Sequence, residues 1–484
     1  MPGLLNSTCA LQRNGGDCPI KFYNKQLVKG IERMNQLNNQ DSPFWMKGNH
    51  APVREEVMAF DLEVEGEIPR GLDGLYARNG PNPRRGASGH WFLGDGMVHA
   101  VSIRDGQAQW YRNRWVRTPR FAGESRTADT LWDLNYALAN TNVIAHGGKI
   151  LALVENALPY QLNAELDTLG PYDFGGKLTS PFTAHPKVCP ITGEMHFFGY
   201  RALPPYLTYH VAHASGRIIR SVEVPVKGPT MIHEMALTQG HVIFLDLPVV
   251  FDMNLARAGT MPYCWSDTYG ARLGILPRGM PIQAMRWVDV DPCYVYHVAN
   301  AFETPAGEIV IDAAWYAEHW RGGPSASTFD SARMKRWRIA PKATRAQEAF
   351  IDDRAVEFPR VDDRLTGMQH RHVYAVATDN EFAAGRYHEV IHYDLETGQS
   401  VSHDFGTGLP SEFCVAPVSE TPDADCVAMG FVFDPTRNSS DLVILNAQHL
   451  KAPPIARIRL PRRVPQGFHG NWIKRSALVP TSER

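Results

Sequence analysis

The chain has 484 residues, enough for several domains of ordinary size or for one large all-β fold. Hydrophobic residues make up 44% of the sequence, so there is ample material for a core. The net charge of −2 gives no indication of nucleic-acid binding, and no run of about 18 apolar residues predicts a transmembrane helix.

Cysteine usage and the N-terminal residues point to a cytoplasmic protein. Seven cysteines are scattered along the chain without a CxxC pair, at positions 9, 18, 189, 264, 293, 414 and 426. An odd number of scattered cysteines is typical of reduced thiols. Residues 1–25 contain polar residues throughout and lack the apolar core segment of a secretory signal.

Residues 1–50 are predicted to form an N-terminal extension that is partly helical. Leu27, Ile31, Met34 and Leu37 recur at helical spacing between charged residues. We expect a short helix packed on the body of the protein. The alternative is a helix that lies on a membrane surface, for which the apolar face is short.

From Ala51 onward the sequence changes to short strand-like runs separated by turns. Examples are residues 60–64 (FDLEV), 98–103 (VHAVSI) and 149–155 (KILALVE), with Arg104-Asp105-Gly106 as one separator. Roughly twenty or more such runs follow one another, with little helix between them, and this pattern predicts an all-β fold.

A β-propeller suits an all-β chain of this length. About 430 residues match six to eight blades of four strands, and radial repetition removes exposed sheet edges. No sequence repeat marks the blades, so two β-sandwich domains remain an alternative. We therefore expect residues 51–484 to form a single propeller domain.

Four histidines recur in one setting, each directly after a small, apolar or aromatic residue. In residues 180–188 (SPFTAHPKV), Pro186 stops the strand and leaves the imidazole on stiff backbone. Intervals of 48, 64 and 172 residues fit no local metal motif, so each histidine is expected from a different blade. Neutral imidazoles suit iron, copper, zinc or nickel. The four candidate metal ligands are His185, His233, His297 and His469.

Four neutral ligands leave the charge of a divalent metal uncompensated, which calls for carboxylates on the far ring nitrogens. Glu155, Glu357 and Glu412 are lone acids beside apolar residues, and such acids are seldom buried without a partner. The alternative for each is an ordinary surface acid at a strand end.

The sequence resembles the carotenoid cleavage oxygenase family, whose members cleave carotenoids, apocarotenoids, stilbenoids or phenylpropenes. The resemblance extends from about Trp45 to Trp472. The stretches that carry it are residues 48–53 (GNHAPV), 76–83 (YARNGPNP), 90–97 (HWFLGDGM), 139–142 (ANTN), 182–188 (FTAHPKV), 445–447 (LNA) and 467–470 (GFHG).

The resemblance implies a seven-bladed β-propeller with iron(II), Fe²⁺, on its axis under a dome of loops and helices. It implies that the four histidines hold the iron and that Glu155, Glu357 and Glu412 support His233, His297 and His469 respectively. Thr141 matches a position near the open coordination site. The further residues expected at the substrate pocket are Phe92, Val154, Tyr296 and Phe468.

The activity implied by the resemblance is cleavage of a carbon–carbon double bond by O₂, giving two carbonyl products. No catalytic residue beyond the metal centre is expected. Members that cleave stilbenes or isoeugenol commonly have lysine just before the first supporting glutamate. This chain has Val154 there, which favours a carotenoid or apocarotenoid; a stilbenoid or phenylpropene is the alternative. Glu234 replaces the aspartate frequent after the second ligand, a change expected to be tolerated.

Two other interpretations of the four histidines have less support from the sequence. A propeller used only as a binding module predicts no bound iron and no aldehyde product. A zinc hydrolase is disfavoured because four histidines fill a tetrahedral zinc site and leave no open position. The partners expected for the oxygenase are O₂ and a lipophilic alkene, with weak peripheral membrane contact and no nucleic acid.

Overall fold

Short antiparallel strands dominate the computed structural model. It describes residues 43–86, 88–125, 132–258, 261–321, 331–378, 387–419 and 425–478. The predicted helix at 27–37, like the rest of residues 1–42, lies outside these ranges. The five cysteines of the described residues form no disulfide with one another.

Within the described residues the strands form seven blades, so the predicted seven-bladed propeller is confirmed. Strands are numbered along the chain. Blade 1 contains β1 (Met58–Ala59), β3 (Gly74–Pro81), β4 (Gly96–Arg104), β5 (Gln107–Trp115) and β33 (Gly470–Lys474). Blade 2 contains β6 (Asn142–His146), β7 (Lys149–Leu153), β8 (Tyr160–Leu162) and β9 (Thr168–Pro171). Blade 3 contains β10 (Lys187–Val188), β11 (Met195–Tyr200), β12 (Leu207–Ala212) and β13 (Ile218–Glu223).

The remaining blades follow in sequence. Blade 4 contains β14 (Met235–Leu237), β15 (His241–Asp246), β18 (Arg272–Pro277) and β19 (Arg286–Asp289). Blade 5 contains β20 (Tyr294–Glu303), β21 (Ile309–Tyr316), β22 (Arg333–Ile339) and β23 (Gln347–Phe350). Blade 6 contains β24 (Val356–Arg360), β25 (His372–Thr378), β26 (Tyr387–Asp394) and β27 (Gln399–Asp404). Blade 7 contains β28 (Leu409–Pro410), β29 (Cys414–Pro417), β30 (Cys426–Asp434), β31 (Ser439–Asn446), β32 (Ala456–Arg459) and β2 (Val64–Gly66).

Two blades combine strands from opposite ends of the chain, and this closes the ring. β33 pairs with β3 as the innermost strand of blade 1, with Ile473 opposite Leu75. β2 pairs with β32 as the outermost strand of blade 7, with Val64 opposite Ile458. Sharing strands in this way ties the two ends of the chain together through backbone hydrogen bonds within blades 1 and 7.

The core lies between neighbouring sheets. Side chains of blade 4, such as Ile243, pack in one cluster with Ile311 and Trp337 of blade 5. β20 and β21 are buried along nearly their whole length, whereas the outer strand β13 alternates between half-buried and exposed residues. Buried central strands and half-solvated outer strands are the expected pattern when sheets stack around an axis.

Helices are few and short among the described residues. α1 is Pro119–Ala122 and α2 is Met253–Ala258. A separate hairpin consists of β16 (Val249–Phe251) and β17 (Tyr263–Trp265). The 3₁₀ helices are Phe44–Met46, Gly48–His50, Trp91–Leu93, Ile282–Ala284, Asp363–Leu365 and Arg475–Leu478. No helix of the described part of the chain is long and apolar enough to cross a membrane.

Residues 43–50 pack against the propeller. His50 is buried, and its ring lies 5.2 Å from that of Trp91. The backbone amide of Gln466 donates to the carbonyl of Asn49 at 2.7 Å. Contact with the propeller therefore begins before Ala51, the residue from which the sequence predicts short strands.

Candidate metal centre

The four predicted histidines come from four blades and meet near the axis. His185 precedes β10 by two residues, and His233 precedes β14 by two. His297 lies within β20, and His469 directly precedes β33. The innermost strands of blades 3, 4, 5 and 1 thus each bring one imidazole to the same point.

Local backbone features aim these side chains. The hydroxyl of Thr183 accepts a hydrogen bond from the amide of His185 at 3.0 Å. Around His297 the pairing of β20 with β21 shifts register, and such bulges redirect a side chain out of the regular alternation. Phe358, next to Glu357, has a φ of 53°, a strained conformation for a bulky residue and one that tends to occur at functional sites.

The imidazoles are arranged to hold a metal ion. Their four candidate ligand atoms all lie within 4.8 Å of one another. Imidazole nitrogens typically lie about 2.1 Å from a metal that they bind, so ligand atoms this close to one another could share one ion. Nε2 of His185 and Nε2 of His297 are buried without a hydrogen-bond partner. Such orphaned groups cost about 1–3 kcal/mol each, a cost that a shared cation removes. The residues present therefore fit a metal.

The three predicted glutamates each contact a different histidine. Oε2 of Glu357 lies 2.5 Å from Nδ1 of His297, and Oε1 of Glu412 lies 3.2 Å from Nδ1 of His469. A carboxylate at Nδ1 keeps the proton there and leaves Nε2 free to coordinate. The structure forms the three expected pairs, Glu155 with His233, Glu357 with His297, and Glu412 with His469. These glutamates come from blades 2, 6 and 7, the blades that supply no histidine.

Each glutamate is fixed by a second partner. The Tyr200 hydroxyl donates to Glu155 at 2.5 Å, and the Tyr316 hydroxyl donates to Glu357 at 2.7 Å. Glu412 accepts from the guanidinium of Arg360 at 3.2 Å. These partners restrict the carboxylate rotamers and so hold the imidazoles in place.

Burial sets the protonation of several of these groups. Burial lowers the pKa of His185 well below its usual value, and it lowers the pKa of His469 to about 4 in spite of Glu412. Burial also opposes a charge on His297, but Glu357 outweighs it and raises that pKa. Burial opposes ionisation of Glu412, but His469 and Arg360 outweigh it and lower its pKa to about 2. His185 and His469 are thus neutral near pH 7, as ligands must be.

Glu234 ties the ligand strands together, a role that the sequence did not reveal. It is buried, and its side chain accepts from the Lys187 ammonium. Its other oxygen accepts from the backbone amide of Val298 at 2.5 Å. Glu234 follows one ligand, Val298 follows another, and Lys187 lies two residues after a third. The departure from aspartate is therefore accommodated by a longer side chain that bridges three blades.

A largely apolar cavity of about 630 Å³ adjoins the histidines. Three segments that we call the dome help to line it: residues 132–138, residues 201–204, and residues 251–258 with 261–263. The hydroxyl of Tyr136, a dome residue, donates to the carbonyl of Glu124, and Tyr136 is not among the cavity-lining residues. The predicted pocket residues that line the cavity are Phe92, Thr141, Val154, Tyr296 and Phe468.

Two cavity tyrosines were missed by sequence reasoning. Tyr200 contacts Glu155, and Tyr263, on the dome hairpin, is hydrogen-bonded to Tyr200. Burial raises the pKa of both hydroxyls, so both are protonated near pH 7. No motif marks either position, and only the fold of the dome over blade 3 brings them beside Glu155.

Residues 50–474 match the family model described as retinal pigment epithelial membrane protein. A carotenoid cleavage oxygenase of Mycobacterium tuberculosis is 37% identical, over 90% of this chain and 98% of that protein. Carotenoid 9,10(9',10')-cleavage dioxygenase 1 of Arabidopsis thaliana is 32% identical, over 95% and 96% of the two chains. The crystal structure of Pseudomonas brassicacearum lignostilbene dioxygenase superposes with a TM-score of 0.82 at 28% identity, covering 91% of this chain and 100% of that one.

We predict that Glu357→Gln weakens metal binding roughly 10- to 100-fold with the fold retained, because the amide orients His297 without supplying charge. Competition with a chelator of known affinity measures the change. Glu303→Gln is the matched control, since Glu303 contacts Nδ1 of His241 outside the cluster. Equal metal affinity in the two variants would remove the supporting role of Glu357.

Proposed function

The chain belongs to the RPE65/carotenoid cleavage oxygenase family, and from this we propose that it is an iron(II)-dependent dioxygenase. It cleaves a carbon–carbon double bond of a carotenoid or apocarotenoid, and one atom of O₂ goes to each carbon to give two carbonyl products. The observation that carries the proposal is the cluster of four imidazoles, three of which line a mainly apolar cavity.

The choice of metal follows from the donor set and from the reaction. Imidazoles bind several divalent metals, but zinc has no redox chemistry and does not activate O₂. Bound iron(II) would supply the activation of dioxygen. The chain itself would hold the ion through four Nε2 atoms, with Glu155, Glu357 and Glu412 balancing its charge.

The remaining work of the protein is to position the alkene and keep water away. Phe92 and Phe468 pack edge to face at 5.5 Å and form one wall of the cavity. The Tyr296 ring packs on His233 at 4.9 Å, and its hydroxyl is hydrogen-bonded to His319. Apolar walls that offer few polar partners would hold a polyene alongside the metal without competing for it.

Val154 supports a polyene substrate over a phenol. A buried phenol hydroxyl without a partner costs about 1–3 kcal/mol, which a lysine at position 154 would offset. Valine provides apolar contact, worth about 25 cal/mol per Å² of covered area. A long polyene covers more wall than a two-ring stilbene and gains more from this contact.

A stilbenoid or phenylpropene substrate is the second candidate, and one observation favours it. The hydroxyls of Tyr200 and Tyr263 line the cavity beside Glu155 and can exchange hydrogen bonds with a phenol. They would take the place of the missing lysine. The likeness to the lignostilbene dioxygenase structure is consistent with this alternative.

We predict that His297→Ala and His469→Ala proteins lose most of their iron, because each removes one of four ligands together with the imidazole that its glutamate supports. Iron per chain is measured by mass spectrometry after purification. His241→Ala, which changes a histidine outside the cluster, is the control and should keep its iron. Full iron in both ligand variants would show that the ligand set is different.

We predict a higher kcat/KM for a carotenoid or apocarotenal than for resveratrol or isoeugenol, measured side by side with identification of the aldehydes. Val154→Lys should shift the preference toward the phenols by roughly tenfold, equivalent to about 1.4 kcal/mol of new hydrogen bonding. Tyr263→Phe is the companion variant. If the unmodified protein cleaves only phenols and Tyr263→Phe abolishes that activity, the second candidate is correct.

We also predict weak, reversible membrane contact, since lipophilic substrates must reach the cavity. Trp132 and Leu203, each 47% exposed, are apolar residues among those that line it. Exposed apolar side chains at a cavity entrance are typical of such contacts. Flotation with liposomes measures the bound fraction, which Trp132→Ser should reduce. A protein that never floats would contradict this expectation.

A further inference from the structure

A second cavity, also of about 630 Å³, reaches the same histidines from the inner strands. We call it the polar cavity. His185 lines only the polar cavity, and His233 lines only the apolar one. His297 and His469 line both. The ligand set is therefore the wall between two spaces of different character.

The lining of the polar cavity is mixed, with acidic, basic and amide side chains among apolar ones, and some of its lining residues are exposed to solvent. Its carboxylates become more buried toward the metal site: the exposed fraction is 65% for Asp363, 13% for Asp362 and 2% for Glu412. Ser476 and Ala477, both exposed, lie at its rim. Oxygen ligands thus occur at successive depths between solvent and the histidines.

One arginine connects the rim to the metal site. The guanidinium of Arg360 lies 3.3 Å from Asp363 and 3.2 Å from Glu412. Glu412 in turn contacts His469. The positive charge of Arg360 therefore lies across the passage, where it repels a cation unless the carboxylates beside it are shared.

The two cavities differ in what they offer a hydrated divalent cation. Such an ion gives up its water only when other polar groups replace it, because a bare charge in apolar surroundings is strongly disfavoured. Most of the surface of the apolar cavity comes from side chains such as Phe92, Val154 and Phe468, which cannot replace water, although Glu155 and Asn156 also line it. The carboxylates and amides of the polar cavity can replace it.

We propose that the polar cavity is the route by which the metal ion reaches and leaves the four-histidine site, while the apolar cavity serves the organic substrate. The proposal rests on the metal-binding part of the proposed function and is independent of which alkene is cleaved. Separate routes let the substrate cavity stay dry while the metal site keeps an aqueous connection.

The test is the rate at which iron leaves the purified full-length protein into excess ferrozine, followed by absorbance. Ala145→Trp fills part of the polar cavity from β6, and Ala202→Trp is the matched change in the apolar cavity. Because close-packed side chains leave little free passage, we expect Ala145→Trp to slow release about fivefold or more. Release from Ala202→Trp should stay within about twofold of the unmodified protein.

A charge series at the rim provides a second test that does not threaten the fold. Ser476→Lys should slow release about threefold at low ionic strength and Ser476→Asp should speed it, with both effects vanishing at high salt. Ser215→Lys, an exposed change on blade 3 that lines neither cavity, is the control. If Ala145→Trp does not fold, the charge series at position 476 decides whether the metal ion leaves through the polar cavity.

Two results would overturn the route. One is slower release in Ala202→Trp with no change in Ala145→Trp, which would place the route in the apolar cavity. The other is release that is insensitive to both tryptophans and to the charge at position 476. An unmodified protein that purifies without iron and binds none would instead overturn the metal assignment, so the two failures are distinguishable.

Discussion

The structure depends on bringing four imidazoles to one point near the axis of a ring. A divalent ion held there brings two positive charges into a site whose ligands have none. Three carboxylates surround the histidines, and the guanidinium of Arg360 contacts one of them. These four groups carry a net charge of about minus two, which a divalent ion balances. The site therefore requires the three glutamates and Arg360 as much as it requires the histidine ligands.

Each of the seven blades supplies either a histidine or a glutamate of the site. Blades 1, 3, 4 and 5 supply the histidines, and blades 2, 6 and 7 supply the glutamates. Since His469 directly precedes β33, the strand that closes the ring also sets the position of a ligand. The pairing of β33 with β3 therefore both closes the ring and fixes the backbone next to one ligand.

Much of this arrangement could be predicted from the sequence because its elements have local signals. Alternating short runs and turns indicated an all-β fold, and the four histidines shared a recognisable setting. The number of blades and the glutamate–histidine pairing came from the resemblance, and the structure has both. Pocket residues that lie in the matching stretches, such as Phe92, Thr141 and Phe468, were placed for the same reason.

The features that could not be predicted arise from contacts between distant segments. Tyr263 reaches Tyr200 only because the dome hairpin folds over blade 3, and neither position has a distinguishing neighbour in sequence. Glu234 was noted as a substitution, but its bridge to Lys187 and Val298 depends on the spacing of three blades. Periodicity describes the faces of one element, and it carries no information about which loops meet above it.

The two cavities meet two opposite requirements, a dry surrounding for the alkene and polar groups for a charged ion. An alkene is held best where water is absent, yet a divalent ion reaches its ligands best through groups that replace its water. The ligand set separates the two cavities. Val154 and Phe92 line the apolar cavity, and Asp362 and Glu412 line the polar cavity. His297 and His469, which border both cavities, are then held by Glu357 and Glu412, so the partition is rigid where the two environments meet.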